Sequence, residues 1–564
     1  MNTNKIRVAD YVADFLKNKK IDKIFMLTGY GAMYLNDAIK LKGIKYFAAR
    51  NEAAAPMMAE AFARASGKVG AVCVTAGPGA TNAIPGLAEA YVDSAPIIII
   101  SGQVEKKHTT HFMKIKNLRT YGTAEINIIP IVKPLTKFSA VVDTPNSIRY
   151  LLEKAYSSAT SGRPGPVWLD IPLDVQQALI NPNKLRSFKE KKFKGNKNNI
   201  QKIKKLIKII KKSSSPILVV GNGVRQSNQI ENLKKIIKIL KIPVFFSRLG
   251  QDIISHDKKY IYGQAGVKGS LFCKKIMEKS DLLISFGSRL AVQFLGLKKE
   301  SISKKCKICM IDVDSSEIIK TSPHFYIKQD LKDFIPDFYR IIKKEKKYFN
   351  FQGWNAFCEK TKSENPIILQ NKKNPIDLYY FMSRLGDLSP KNSFLITDAG
   401  SNYYIGGQVW KFKKNQREIT SGCNAAMGLS IPLAIGAGVA KPKDNILAVT
   451  GDGSLELNIQ ELKTISHYNL NIKLFVINNG GYVSMIKWQD TVFSGRRLDT
   501  KEFTGAGTLN LKKIANAFDL KWYLIKNVNN IDKDLKKIFK IKGPLFVEVV
   551  TDNKQKIQSG FKNE

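Results

Sequence analysis

The feature that most constrains the fold is a strand–helix–strand segment in which both strands end in polar residues. Residues 446–450 form an apolar strand that runs into Gly451-Asp452-Gly453. Residues 473–477 form a second apolar strand that ends at Asn478-Asn479. The 24 residues between Gly453 and Asn478 comprise an amphipathic helical segment and this second strand. Parallel strands joined by a helix end at the same edge of their sheet, so the Asp452 carboxylate and the two amides are predicted to meet there.

These polar groups suit a magnesium site. Mg²⁺ prefers octahedral oxygen ligands and usually shares them with a phosphate. The carboxylate of Asp452 and the amide oxygen of Asn479 would supply two such ligands from neighbouring strand ends. The alternative is that the two motifs are unrelated turns, because Gly-Asp-Gly and Asn-Asn-Gly are also common turn sequences. The spacing between two well-formed strands favours the metal site.

The same alternation of strands and helices extends through most of the chain. Lysine-rich sequence at 184–199 and charged sequence around 343–347 and 370–373 are typical of connectors. We therefore predict an α/β protein with three doubly wound parallel-sheet domains, at 1–182, 195–342 and 374–553, of which the first and third are candidates for a shared fold. Further strands are expected at 24–27, 69–75, 97–100, 217–220, 244–246, 282–286, 309–313, 394–397 and 546–550.

Composition indicates a globular protein without a membrane partner. Hydrophobic residues make up 44% of the 564 residues, which is enough for large cores. No apolar run is long enough to span a bilayer, and the first residues lack the hydrophobic region of a signal peptide, so we predict a cytoplasmic location. Cys306 and Cys309 form a lone CxxC on an alternating segment, where residues three apart point to opposite faces, which favours a structural role over a zinc or redox site.

The formal net charge of +44 allows a rival hypothesis, a basic protein that binds nucleic acid. The lysines are spread over helix faces, as at 202–210, where they alternate with apolar residues. No recognisable nucleic-acid module is present. A solvated surface is therefore favoured, and no nucleic-acid partner is predicted.

A second set of motifs lies in the first 180 residues. Arg50-Asn51-Glu52 precedes a helix, and the strand at 69–75 leads into the sequence Ala-Gly-Pro-Gly-Ala-Thr-Asn at 76–82. The sequences Gly-Gln-Val at 102–104 and Ser-Gly-Arg-Pro-Gly-Pro at 161–166 follow. Together with the segment at 451–479, these motifs resemble the acetolactate synthase branch of the thiamine-diphosphate enzymes. The resemblance is strong over 5–180 and 375–550 and weak between them.

The resemblance implies that thiamine diphosphate and magnesium are cofactors. In this family a glutamate hydrogen-bonds the pyrimidine ring and drives removal of the thiazolium proton, and Glu52 matches it. An ordinary acid at a helix start, favoured by the helix dipole, is the alternative for Glu52. Asp452 and Asn479 would ligate magnesium through their side chains and Gly481 through its carbonyl.

Further cofactor contacts follow from the same resemblance. Met427 matches the bulky side chain that bends the cofactor, although a methionine is more often plain core. The family has Gln and His where Ser401 and Asn402 stand. The remaining matched positions are Pro78, Asn82, Gly400, Ala425, Gly453, Ser454, Tyr482, Val483, Ser484 and Met485.

The substrate pocket departs from the family pattern. Trp488 falls on the pocket tryptophan of the synthases, but Gly29 and Tyr30 stand in a changed element at 27–30, and Thr-Ala-Glu at 123–125 replaces Phe-Gln-Glu. An apparent insertion carries His108 and His111, which fit either the pocket or an exposed loop. The resemblance supports a 2-keto acid donor, pyruvate, and a carbonyl acceptor as in acetolactate synthase. A keto-sugar or aldehyde acceptor in branched-sugar biosynthesis is the alternative.

The middle domain would carry FAD in members that resemble the synthases. Gly223, Gly263, Arg289 and Asp312 stand where flavin contacts would lie. The synthases continue with acidic residues after the arginine, whereas Leu-Ala-Val follows Arg289 here, and a single glycine turn after a strand is common in any α/β domain. Weighing the four matched positions against these departures, we predict that the middle domain binds FAD.

The resemblance also implies an oligomer. Relatives bind the pyrimidine with one subunit and the diphosphate with another, which places the active site between two chains. A homodimer or a homotetramer is therefore expected.

Overall fold

The computed structural model describes residues 5–190, 198–346, 349–367 and 374–558. These residues form three six-stranded sheets and one two-stranded antiparallel pair. Every pairing within the three large sheets is parallel, and helices follow the strands. The prediction of three doubly wound α/β domains is confirmed.

The first sheet has the strand order β3-β2-β4-β5-β7-β6. Its central strands β4 and β5 are buried along their whole length, because helices cover both faces of a parallel sheet. The strands of this domain are β1 (Ile6–Arg7), β2 (Lys23–Met26), β3 (Lys45–Ala48), β4 (Gly70–Val74), β5 (Ile97–Gln103), β6 (Phe138–Val141), β7 (Val167–Pro172) and β8 (Leu179–Ile180). The helices are α1 (Val8–Asn18), α2 (Met33–Leu41), α3 (Ala54–Ser66), α4 (Pro78–Asn82), α5 (Ile84–Val92), α6 (Thr110–Met113), α7 (Ile128–Val132), α8 (Ile148–Thr160) and α9 (Leu173–Gln177).

The middle sheet has a different order, β11-β10-β9-β12-β13-β14. Counted within the sheet this is 3-2-1-4-5-6, the order of dinucleotide-binding domains, in which ligands bind where the order reverses between β9 and β12. The strands are β9 (Pro216–Val220), β10 (Val244–Phe246), β11 (Ile261–Gln264), β12 (Leu282–Phe286), β13 (Lys307–Asp312) and β14 (Phe325–Lys328). The helices are α10 (Asn198–Lys212), α11 (Gly223–Gln226), α12 (Ile230–Leu240), α13 (Leu271–Lys279), α14 (Val292–Leu295), α15 (Ser315–Thr321), α16 (Leu331–Lys344) and α17 (Gln352–Glu364).

The packing of the middle domain continues past residue 342, its expected end, because α17 lies against the same sheet. Trp354 on α17 donates from Nε1 to the carbonyl oxygen of Pro216 at 3.0 Å. The hydroxyl of Tyr262 donates to Glu359 Oε1 at 2.7 Å. Of the expected connectors at 184–199, 343–347 and 370–373, residues 191–197, 347 and 370–373 lie outside the described residues.

The third sheet has the order β16-β15-β17-β18-β20-β19, which is the order of the first sheet when each is counted from its own first strand. The first and third domains therefore share a topology. The strands are β15 (Ser393–Thr397), β16 (Arg417–Ile419), β17 (Asn445–Gly451), β18 (Ile472–Asn478), β19 (Trp522–Ile525) and β20 (Leu545–Val550). The helices are α18 (Leu378–Leu388), α19 (Gly400–Val409), α20 (Ser430–Ala440), α21 (Asp452–Leu455), α22 (Leu462–His467), α23 (Val483–Val492), α24 (Leu511–Ala517) and α25 (Ile531–Ile538).

Helices α3 and α20 join the first and third domains into one apolar core. α20 is buried along almost its entire length, and its side chains cluster with those of α3. The two helices approach so closely that a Cβ on Gly436 would lie 2.0 Å from the carbonyl oxygen of Met58. Gly436 is therefore required for this packing.

Gly436→Ala is expected to destabilise the protein by about 1–3 kcal/mol, because the added methyl overpacks the α3–α20 contact. Gly438→Ala is the matched control, since its Cβ would meet nothing closer than 3.8 Å and alanine favours a helix over glycine. Urea unfolding followed by circular dichroism measures both. Equal midpoints for the two variants would contradict the predicted close approach.

Three expectations about the rest of the molecule concern cysteines, metals and membranes. Cys306 and Cys309 are buried in two different apolar clusters of the middle domain, which agrees with side chains on opposite faces. In the described ranges, no group of three or more His, Cys, Asp or Glu side chains is placed to hold a metal ion. Among the same residues, none of the helices has the length and apolar character needed to cross a membrane.

Candidate active site and cofactor sites

The ends of β17 and β18 meet around Asp452. Its Oδ2 atom accepts hydrogen bonds from the backbone N–H groups of Asn479, Gly480 and Gly481 at 3.3, 2.9 and 3.3 Å. A Cβ on Gly481, which has a φ of 128°, would lie 2.3 Å from the carbonyl oxygen of Thr500. Burial raises the pKa of Asp452, while these backbone hydrogen bonds oppose the rise. The loop thus brings the Asp452 carboxylate next to the backbone of Asn479 and Gly481, which are residues with the oxygen donors that suit Mg²⁺.

Asp398, at the end of β15, holds this loop in place and was not identified from the sequence. Its Oδ2 accepts hydrogen bonds from the hydroxyls of Thr450 at 2.7 Å and Ser454 at 2.8 Å. Its Oδ1 accepts from the Asn402 amide at 3.1 Å, so Asn402 is engaged within the fold. Asp398 is fully buried, and burial raises its pKa while these hydrogen bonds lower it. This carboxyl therefore positions the loop that carries Asp452.

Two helix N-termini point into the same region. Gly400 begins α19 with a φ of 66°, and a Cβ on it would lie 3.5 Å from the hydroxyl oxygen of Ser484, in the first turn of α23. Both helices are 10 residues long. Helix N-termini carry partial positive charge and free N–H groups, which together bind phosphates. Ser401 stands half-buried in the first turn of α19. The predicted diphosphate positions are therefore near the predicted metal loop.

The predicted cofactor-bending residue, Met427, is tied to the same loop through its neighbour. The backbone N–H of Gly428 donates to the hydroxyl of Ser454 at 2.7 Å. The side chain of Met427 is 38% exposed, which does not fit a plain core methionine. Ala425 precedes it with a left-handed φ of 50°, and its N–H donates to the Ser421 hydroxyl at 2.9 Å.

Glu52 lies in a separate cluster on the first domain. Its Oε2 accepts a hydrogen bond from the amide of Asn82 at 3.2 Å. A Cβ on Gly79, next to Pro78, would lie 3.5 Å from Glu52 Oε1. The backbone of this loop is held by Glu461, whose Oε1 accepts from the N–H groups of Arg50 and Asn51 at 2.7 and 3.0 Å. Glu461 comes from the third domain, and no motif in the sequence pointed to it.

The candidate pocket residues stand on the exposed side of both clusters. A Cβ on Gly29 would lie 2.5 Å from the side chain of Thr75, which brings the 29–31 turn against the start of the 76–82 loop. The ring of Tyr482 packs against Gly453, where a Cβ would lie 2.1 Å from Tyr482 Cε1, and Val483 is buried behind it at the start of α23. Three apolar side chains remain exposed: Tyr30 at 71%, Trp488 at 51% and Met485 at 49%.

The apparent insertion, which carries His108 and His111, forms a loop that is held together by hydrogen bonds to Glu125. Buried Glu125 accepts hydrogen bonds from the backbone N–H groups of Thr110 and Tyr121 at 3.1 and 3.0 Å. His108 and His111 are both exposed; the first lies 3.9 Å from Glu105 and the second 3.4 Å from Asp143. Both histidines therefore lie on the surface of this chain, a position that suits an exposed loop and equally a pocket completed by a second chain.

A cavity of about 1630 Å³ lies at the carboxyl edge of the middle sheet. Gly223, Arg289 and Asp312 line it, whereas Gly263 does not and its neighbour Gln264 does. Gly221 and Gly287 let the ends of β9 and β12 approach, since a Cβ on Gly221 would lie 2.0 Å from the carbonyl oxygen of Gly287. Burial raises the pKa of Asp312 to about 6. The cavity thus lies where the strand order reverses, as in dinucleotide-binding sheets.

Comparison with known proteins identifies the family. Models of the N-terminal TPP binding domain, the central domain and the C-terminal TPP binding domain of thiamine pyrophosphate enzymes match residues 6–125, 203–338 and 398–549. The acetolactate synthase large subunit of Buchnera aphidicola subsp. Schizaphis graminum is 32% identical over 86% of this chain and 85% of its own length. The large subunit of Haemophilus influenzae is 30% identical over 99% and 98%. Acetolactate synthase 1, chloroplastic, of Nicotiana tabacum is 28% identical over 97% and 82%.

These matches extend across all three domains and do not favour a nucleic-acid-binding protein. They also agree with the geometry, because the loops that converge at Asp452 lie within the matched C-terminal TPP binding domain and the Glu52 cluster lies within the N-terminal one. The chain belongs to the thiamine-diphosphate enzymes, on their acetolactate-synthase-like branch.

Proposed function

We propose that this enzyme decarboxylates pyruvate, a 2-keto acid, and transfers the two-carbon unit to a carbonyl acceptor, with thiamine diphosphate and magnesium as cofactors. The observation that carries the proposal is the meeting of Asp452 with the 479–481 loop beside two helix N-termini. This arrangement suits a metal-bound diphosphate. The similar proteins named acetolactate synthase support the reaction class.

The residues of the third domain would bind and orient the cofactor. Asp452, Asn479 and the carbonyl of Gly481 would hold Mg²⁺, and the N-termini of α19 and α23 would bind the diphosphate. Asp398 keeps these parts together through Ser454 and Thr450. Met427, exposed beside this loop, would support the cofactor in its bent form. Bound thiamine diphosphate would supply an acidic ring carbon that becomes nucleophilic when its proton is removed.

Glu52 would hold the proton that this chemistry requires. It stands at the start of α3 with Asn82 as its hydrogen-bond donor, and Glu461 fixes the backbone on its N-terminal side. A positioned carboxyl of this kind acts as a general acid–base. Gly29, Tyr30 and Trp488 would contact the substrates at the mouth of the site.

The active site is proposed to form between two copies of the chain, in a homodimer or homotetramer. Exposed Tyr30 on the first domain and exposed Met485 and Trp488 on the third support this arrangement. Large apolar side chains around an active site are unusual on a free surface and are typical of interfaces.

The middle-domain cavity is proposed to bind FAD. Its strand order, its glycine-lined edge and its buried Asp312, a carboxyl able to accept hydrogen bonds from ribose hydroxyls, all suit a dinucleotide. Gly223, Arg289 and Asp312 line the cavity. The volume of about 1630 Å³ exceeds that of an ordinary small-ligand pocket, roughly 300–1,000 Å³, and leaves room for an extended ligand.

Incubation of the purified enzyme with ¹³C-labelled pyruvate, thiamine diphosphate and Mg²⁺ is expected to yield labelled acetolactate without any other acceptor. NMR of the product mixture measures it, and a reaction without Mg²⁺ is the control. Parallel reactions with added aldehydes and a 4-keto-deoxysugar nucleotide test the acceptor. Negligible acetolactate together with an efficient sugar adduct would overturn the proposed acceptor.

A further inference from the structure

One end of the middle-domain cavity is built around a buried arginine. Arg248 follows β10 and lines the cavity together with Gln264 and Tyr403. Its side chain is only 7% exposed, and its guanidinium lies 4.3 Å from the centre of the Tyr403 ring. A cation fixed on an aromatic face and partly removed from water is a strong local source of hydrogen-bond donors.

The hydrogen bonds of Arg248 leave donors unused. Nη1 donates to Gln264 Oε1 at 2.9 Å, and Nη2 donates to Glu418 Oε1 at 2.6 Å and to Thr397 Oγ1 at 3.3 Å. These three bonds occupy three of the five guanidinium N–H groups. Nε is buried and has no hydrogen-bond partner among the described residues. Nη1 also keeps one N–H without a partner among these residues, and because Arg248 lines the cavity, an acceptor on a bound ligand would satisfy a donor there and recover free energy.

The residues around Arg248 leave room for its side chain and hold it in place. A Cβ on Gly407 in α19 would lie 1.7 Å from Arg248 Nη1, so only glycine allows the guanidinium to lie there. Glu418, its ion-pair partner, is itself held by the side-chain amide of Gln251. Arg248 is therefore fixed from several sides, as a residue that orients a ligand needs to be.

The opposite end of the cavity has different chemistry. Asp312 ends β13, whereas Arg248 follows β10, and the order β10-β9-β12-β13 puts three strand spacings between them. At about 4.8 Å a spacing, the two strand ends stand about 14 Å apart. A carboxylate suits ribose hydroxyls, whereas a guanidinium suits carbonyl oxygens and ring nitrogens. A dinucleotide that extends across the place where the strand order reverses, between β9 and β12, would thus have its two halves next to different protein groups.

We propose that Arg248 binds the flavin ring system of the FAD in this cavity, by donating to the carbonyl and ring-nitrogen edge of its pyrimidine portion, while the ribose end lies toward Asp312. The inference rests on the proposed FAD site. A donor at that edge stabilises the negative charge that the ring gains on reduction. Arg248 therefore raises the midpoint potential of the bound flavin as well as its affinity.

The test is a titration of FAD into flavin-free full-length protein, followed by visible absorbance and flavin fluorescence. Arg248→Met is expected to weaken FAD binding by on the order of 10- to 100-fold, as for loss of a hydrogen bond from a charged donor. The midpoint potential of the flavin that remains bound is expected to become more negative. Gly407→Ala, which displaces the guanidinium without removing it, is expected to change both quantities in the same directions.

Arg417→Lys is the matched control, because Arg417 precedes Glu418, pairs with buried Asp252 and does not line the cavity. Its FAD affinity and flavin potential are expected to equal those of the wild type. Retained binding of thiamine diphosphate and an unchanged circular dichroism spectrum show that each variant is folded. If Arg248→Met is not folded by this criterion, the FAD affinity and flavin midpoint potential of Gly407→Ala test the proposal instead.

The outcomes separate this inference from the function on which it rests. A wild-type protein that binds no FAD overturns the proposed flavin site and this inference together. A wild-type protein that binds FAD, with variants that match it in affinity and potential, overturns the role of Arg248 alone. Weaker binding with an unchanged potential shows a merely structural residue and also overturns the proposal.

Discussion

Glu52→Gln is expected to slow exchange of the ring-carbon proton of bound thiamine diphosphate by about 10²- to 10⁴-fold, the usual contribution of a general acid–base group. Glutamine keeps the shape of the side chain and can still accept the hydrogen bond from Asn82, which lies 3.2 Å away in the wild type. It cannot take up or release a proton. Exchange into D₂O, quenched at millisecond times and measured by proton NMR, reports this step directly, before any substrate is involved.

Cofactor affinity and a second carboxylate variant serve as the controls for this prediction. Thiamine diphosphate and Mg²⁺ affinities of Glu52→Gln are expected to stay within a few-fold of the wild type, because the residues proposed to bind the diphosphate and the metal lie on the third domain. Glu231→Gln, which changes an exposed carboxylate of the middle domain, is expected to leave exchange unchanged. Exchange at the wild-type rate in Glu52→Gln would show that another group handles the proton.

The meeting of Asp452 with the 479–481 loop was predictable because it depends on local pattern and sheet geometry. Two apolar runs with a helical segment between them imply adjacent parallel strands, and such strands end at one edge. β17 and β18 each extend one residue beyond both predicted ends, at Asn445–Gly451 and Ile472–Asn478. Asp452 still follows β17 directly, where it begins α21, and of the two amides Asn478 ends β18 and Asn479 follows it.

The groups that support the site could not be predicted, because their partners are far away in the chain. Glu461 accepts hydrogen bonds from residues 410 and 411 positions earlier. Asp398 is 56 positions from Ser454, and Arg248 is 170 from Glu418. A single sequence contains no periodic signal for such pairs. The strand order of the middle sheet could not be predicted either, because a glycine after a strand is compatible with many sheet orders.

Asp452→Ala is expected to weaken binding of Mg²⁺ and thiamine diphosphate by more than about 100-fold. Even residues that only orient a metal ligand contribute about 10- to 100-fold to affinity, and a direct carboxylate ligand is worth more. The change also removes the acceptor for the N–H groups of Asn479, Gly480 and Gly481, so the hydrogen bonds that hold the 479–481 loop are lost. Isothermal titration calorimetry with thiamine diphosphate, with and without Mg²⁺, measures the loss.

Asp452→Asn separates the two roles of this side chain. Its amide oxygen can still accept the backbone hydrogen bonds, but it lacks the negative charge that attracts a divalent cation. Affinity in Asp452→Asn is therefore expected to fall nearly as far as in Asp452→Ala, while the thermal midpoint without cofactor stays closer to the wild type. Glu456→Gln changes an acid one turn away on the same loop and is expected to bind both cofactors normally. Wild-type affinity in Asp452→Asn would mean that magnesium is held elsewhere, because a retained loop shape alone does not supply the charge that the metal requires.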